Sequence, residues 1–270
     1  VNLAFFPIDG PNHCDQAYIK EISKDPRQDS AGVPWEGRKF DENPWTGDDG
    51  LSPRQIAEAL IAEPFDKMRF LESLRNQRLL IPLVAELGES EIGPHGQLVD
   101  KSADLAIVAV STPDGKTAIP AFTSVAAMSE WNPESRPVPV SVEKLCLAAA
   151  SEGHERVVVN PMTDSRVVRR TQIAALAQGL NLTDVATDAD IRQALEFAVS
   201  GTPQIISALA VDSDPEARLT SDEVRIEIAL IEGLSQQELS GVLEVFISKL
   251  QQSAFAKKVD SFGLKLVSAS

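Results

Sequence analysis

RLLIPLV at residues 78–84, ADLAIVAVSTPDGKTAIPAFTS at 103–124, WNPESRPVPVS at 131–141 and ERVVVNP at 155–161 are the runs whose reading decides the fold. Residues 105–110 are apolar and β-branched, which predicts a strand. Pro113-Asp114-Gly115 then supplies turn chemistry: proline presets φ, and Asp-Gly offers the positive φ of a tight hairpin. Residues 117–122 answer as the returning strand. Ser124 caps a short helix that Asn132-Pro133 stops after Trp131. Residues 79–85 form a further strand, and Pro82, which has no amide donor, assigns it to a sheet edge or a bulge. Short strands at 138–140 and 156–159 flank a helix that starts at Ser141 and ends near Gly153.

On the N-terminal side, Ser52-Pro53-Arg54-Gln55 reads as a capping box with proline at the first helical position, and Pro64 ends that helix. Asp66 caps the next one, with Phe65 and Phe70 placed as a hydrophobic staple. Residues 163–170 change composition and read as a linker in which Arg166, Arg169 and Arg170 are solvated. Helices follow at 171–180 and 188–200, then a strand at 205–211. Val224, Ile226, Ile228 and Leu230 alternate with Arg225 and Glu227, the period of a strand with one buried face. Ser235 and Glu238 form a capping box before a helix that carries Val242, Phe246 and Leu250 on one side. Phe262, Leu264 and Leu266 alternate in a closing strand. The expected class is α+β: two small mixed layers of helices on short, largely antiparallel sheets, ending in a β-β-α-β unit. Residues 1–51 read as an arm packed on a first domain at 52–162, with a second domain at 171–270.

The chain has 270 residues and a formal net charge of −15. Phosphate backbones and anionic membrane surfaces repel such a surface, which argues against direct nucleic-acid and membrane binding. A basic protein partner suits the same field. Cys14 and Cys146 make neither a disulfide framework nor a zinc pattern, and a reduced, cytoplasmic setting fits them. Residues 3–6 are apolar but lack the basic flank of a secretory signal.

The segment GRKFDENPWTGDDG at 37–50 is the candidate functional loop. Arg38, Asn43, Asp48 and Asp49 are its ligand-binding candidates, with Trp45 as a stacking wall. The EF-hand template fails there, because Trp45 and Thr46 stand where Asp or Asn and Gly belong, and Ser52 where a bidentate Glu belongs. The same residues also suit an arm that spends them on its own turns. Trp131 and Arg136 form a second candidate face, since Trp and Arg anchor interfaces. His13, His95 and His154 lie apart without metal-ligand spacing, so no metal or cofactor is expected.

Taken as a set, RLLIPLV, PDGKTAIPAFTS, WNPESRPVPV and RVVVNP resemble the N-terminal domain of the SseB family, proteins named for enhanced serine sensitivity. GRKFDENPWTGDDG and the closing VDSFGLKLV are similar to longer, actinobacterial members, and the β-β-α-β end is similar to the family's C-terminal domain. The resemblance implies no catalytic residue and no cofactor. The expectation is a non-enzymatic, cytoplasmic interaction or regulatory protein with a protein partner of basic character. Two alternatives stay open. One is a small-ligand or enzymatic site between the arm and the first domain; the other is homo-oligomer formation through a sheet edge or the C-terminal helix.

Overall fold

Proline, glycine and Asp-Gly turns interrupt the apolar runs, so the elements are short. The structure, a computed structural model, describes residues 45–86, 91–92, 98–99, 104–162 and 164–268. Helices α1 (Arg54–Leu60) and α2 (Lys67–Ser73) lead into strand β1 (Arg78–Glu86). The strands β2 (Glu91–Ile92), β3 (Leu98–Val99), β4 (Asp104–Ile107), β5 (Val110–Ser111) and β6 (Thr117–Ala121) follow. Next come α3 (Val125–Trp131), β7 (Arg136–Ser141), α4 (Val142–Ser151), β8 (Arg156–Val159), β9 (Arg166–Arg169) and α5 (Arg170–Gln178). The remainder is α6 (Ala189–Val199), β10 (Ile205–Asp212), β11 (Val224–Leu230), α7 (Gln236–Gln251), α8 (Phe255–Lys258) and β12 (Phe262–Val267). Besides the small β2–β3 ladder, the sheets have the orders β4-β1-β7, β5-β6-β8-β9 and β10-β11-β12. The class is α+β, with parallel pairing confined to β6–β8 and β11–β12 among the described strands.

Local signals act much as expected at several ends. The Asp66 carboxylate accepts from the Arg69 N–H at 2.9 Å, and Phe65 meets Phe70 at 5.9 Å between ring centres, which completes the staple. Ser124 and Ser141 cap α3 and α4 by accepting from Ala127 and Lys144 N–H groups. Ser235 and Glu238 close their capping box. Gly115 takes φ +78° in the turn before β6.

Four expectations are corrected. The 105–110 run is not one strand: β4 pairs with β1, whereas β5 pairs with β6, so the chain changes sheets near Val108. Pro82 does not mark an edge, since β1 is the central strand of its sheet. Its missing donor is harmless because Leu80 turns its N–H and C=O away from β7 to Phe122, and Pro82, two residues on, points the same way, opposite Pro137. Ser52 does not cap α1; Pro53 occupies the N-cap with ψ 130°, and the Ser52 hydroxyl is buried without a partner. Residues 166–169 are not a solvated linker but a strand buried at every position, with Arg166 and Arg169 only 4% and 3% exposed. β9 closes the sheet beside β8, and pairing its backbone there outweighs the polarity of its ends.

Two clusters of apolar side chains hold the unit that runs from Gly50 onward. The first gathers Phe70, Leu71, Ile119, Leu145, Val157, Ile173 and Leu176 from α2, α4, α5, β6 and β8. The second gathers Ile191, Leu195, Ile226, Ile228, Phe246 and Phe255 between the β10–β12 sheet and α6, α7 and α8. Each fully buried Leu, Ile or Phe contributes about 1.5–3 kcal/mol. Along β11, Val224, Ile226 and Ile228 face this core and Arg225 and Glu227 face outward, as their alternation requires.

Candidate functional site

Charged residues meet where the two clusters adjoin. Strand β8 begins with Arg156, whose side chain is fully buried. Its guanidinium donates to both oxygens of Asp260, at 2.6 and 3.1 Å, and to Asp114 at 2.8 and 3.1 Å. Arg169, directly across the ladder on β9, donates to Asp214 at 2.6 Å and to the Ser221 carbonyl at 2.9 Å. It also reaches Ser261 Oγ at 3.3 Å. Bidentate guanidinium–carboxylate pairs of this kind are strong because charge and fork geometry coincide. Burial alone would push the Asp114 carboxyl up, but the Thr112 hydroxyl and Arg156 outweigh it and hold it below the ordinary value.

Glu223 sits at the edge of this cluster, just before β11, and is 2% exposed. One of its oxygens accepts the Asp260 N–H at 2.7 Å. Burial raises its pKa above the usual carboxylate range, against the pull of that N–H and of Arg169. Glu223 also lines a cavity of about 600 Å³ that opens between α2, α5, residues 180–185 and α8. Met68, Ala175, Leu182 and Val185 supply its apolar wall, and Lys67, Lys257 and Lys258 its cationic rim. Two of those ammoniums are already paired: Lys67 with Asp212, and Lys258 with Asp188 at 2.8 Å and Asp190 at 2.6 Å. Asp188 caps α6 and accepts from Thr183 at 2.7 Å; these bonds and Lys258 more than offset its burial, so its carboxyl is held low. A cavity with one apolar wall, one carboxyl of raised pKa and cations at the rim can hold a small polar ligand. Among the described residues, no group of three or more His, Cys, Asp and Glu side chains is placed for a metal ion.

The sequence-based candidates lie elsewhere. Arg38 and Asn43 fall outside the described residues, as do His13, His95 and Cys14. Trp45, Asp48 and Asp49 belong to a separate unit at 6–49, where the Asp48 N–H donates to the Trp45 carbonyl at 3.0 Å. Trp131 is half-buried and packs on Phe122 at 5.3 Å, while Arg136 is exposed at the start of β7. His154 contacts Thr117 Oγ1 at 3.2 Å. Burial, and then Glu143, pushes the Cys146 thiol up to about 12, which leaves it a core residue. Sequence reasoning missed Arg156, Asp214, Glu223 and Asp260, and it placed Arg169 in a solvated linker. For the arginines, the available signal was their place directly beside short valine runs, in ERVVV and RVVRR.

Residues 54–175 match the family model described as the SseB protein N-terminal domain. A search of curated proteins finds no match to the chain. No described helix is long and apolar enough to cross a membrane.

Proposed function

We propose, from the match of residues 54–175 to the SseB N-terminal domain, that the chain works by binding a protein partner and not by turnover. One observation carries this reading: the buried charges of the junction are committed to one another. Arg156, Arg169, Asp214 and Asp260 sit in close pairs, and a group fixed in such a pair is poorly disposed to take or give a proton. They act as scaffold, and recognition falls to the exterior of a chain whose net charge of −15 favours a basic partner. The outward face of the C-terminal sheet offers a surface for it, with Leu209, Glu227 and Lys265 in register across β10, β11 and β12 and Leu209 60% exposed. On this reading the protein is cytoplasmic, and the layer built on β10–β12 serves as the family's C-terminal domain. The test is capture on the immobilised full chain. A stoichiometric basic partner is expected at low salt, released by raised salt and lost with Leu209→Arg, which removes the apolar contact and adds a like charge. Retention of background alone sinks the proposal.

A second reading, binding of a small ligand, draws on the cavity above Glu223. A specific ligand raises the melting temperature by mass action, so a metabolite screen by thermal shift measures it. Glu223→Gln should change the affinity of any ligand that binds there.

A further inference from the structure

The cavity above Glu223 holds two charges that the protein leaves unspent. The first is buried. Glu223 is 2% exposed, and while one of its oxygens accepts the Asp260 N–H at 2.7 Å, the other makes no hydrogen bond. A buried carboxylate oxygen without a donor carries a desolvation cost that a donor on a ligand would recover. The cations beside it do not supply that donor. Lys67 spends its ammonium on Asp212, and Arg169 spends its fork on Asp214 and the Ser221 carbonyl. Burial outweighs both cations and raises the Glu223 pKa, the mark of a carboxyl still short of compensation. The second charge stands at the rim. Lys258 is held by Asp188 and Asp190, but the ammonium of its exposed neighbour Lys257 has no ion-pair or hydrogen-bond partner among the described residues. Met68, Leu182 and Val185 give the same cavity an apolar wall. Asp184, the other acid of the lining, is half-buried and accepts from the Ala186 N–H at 2.9 Å.

We infer that this cavity binds a small zwitterion, its ammonium on the open oxygen of Glu223, its carboxylate on Lys257 and its carbon chain against the apolar wall. The inference rests on the small-ligand reading above and adds the class of ligand. A simple amine would meet Glu223 but find Lys257 opposing it, and a simple acid would meet Lys257 but leave the Glu223 oxygen bare. A zwitterion answers both charges. Having no net charge, it is neither drawn nor repelled at long range by a chain of net charge −15. A volume of about 600 Å³ is ample for a molecule of this size.

The experiment titrates the full chain near neutral pH with β-alanine, γ-aminobutyrate and ε-aminocaproate, and with butylamine and butyrate as single-charge controls. Heat of binding and melting temperature are read together. Saturable binding of at least one of the zwitterions is expected, about tenfold or more tighter than that of either control. Glu223→Gln and Lys257→Met should each weaken it about tenfold, because each removes one charged hydrogen bond. Asp184→Asn should leave it within about twofold. Lys257→Met alters an exposed side chain, so a loss of binding there is not a loss of fold. Equal binding of butylamine or butyrate, or binding that Lys257→Met leaves unchanged, overturns the zwitterion and leaves the small-ligand reading standing. Saturation by none of the probes overturns it too; a hit from the metabolite screen that responds to Glu223→Gln would then keep the cavity as a site for another class of ligand.

Discussion

Arg156 and Arg166 lie on adjacent strands of one sheet, both are almost completely buried, and they are treated in opposite ways. Arg156 has two carboxylates on its fork, whereas Arg166 has an aromatic ring, one long hydrogen bond and a loose glutamate. Desolvating a guanidinium costs several kcal/mol, and only a well-formed pair recovers it. The saturated arginine is therefore structural, joining β8 to the turn at Asp114 and to Asp260 ahead of β12. The loosely paired one is held by stacking on the Phe65 ring. Burial alone does not tell how firmly a charge is held; the completeness of its partners does.

The sharpest way to break this contrast is Arg156→Met. It strips Asp260 of its bidentate partner and leaves a buried carboxylate, so a loss of about 3–5 kcal/mol is expected by urea denaturation. A loss under about 1 kcal/mol would make the two arginines equivalent and remove the distinction. A smaller effect, of opposite sign, is expected at Glu223. Its folded pKa lies above the ordinary one, so the stability it supports is complete at acid pH and is lost as pH rises through the folded value. Glu223→Gln cannot ionise. It should melt higher than the parent at about pH 7 and together with it at about pH 4, and a difference that does not vary with pH would refute the assignment. The smallest effect on stability is expected from Arg166→Met, which keeps apolar contact with Phe65 and gives up few bonds. Its stability should stay within about 1 kcal/mol of the parent. A loss as large as that of Arg156→Met would return Arg166 to the scaffold.

Much of the fold was legible because it rests on local chemistry. The Asp66 cap with its Phe65–Phe70 staple, the Ser235–Glu238 box and the alternation of β11 are set by residues within a few positions of each other. Legibility failed where a distant partner decided the outcome. Pro82 reads as an edge residue, but Phe122 and Pro137 make it tolerable at the centre of a sheet. RVVRR reads as a polar linker because its partners, β8 and the 214–221 loop, lie far away in sequence. The candidate site was less legible still. Asp260 and Arg156 are 104 positions apart, and no spacing rule links them.

The sequence by itself determined the α+β class, the caps and turns, the acidic charge and the resemblance carried by residues 78–161. These depend on side chains acting on their own backbone or on sums over composition. Only the tertiary structure decided which charges are tightly paired and which only loosely. That outcome turns on desolvation and on donor–acceptor distances between residues brought together by packing, and neither quantity exists until the chain has folded.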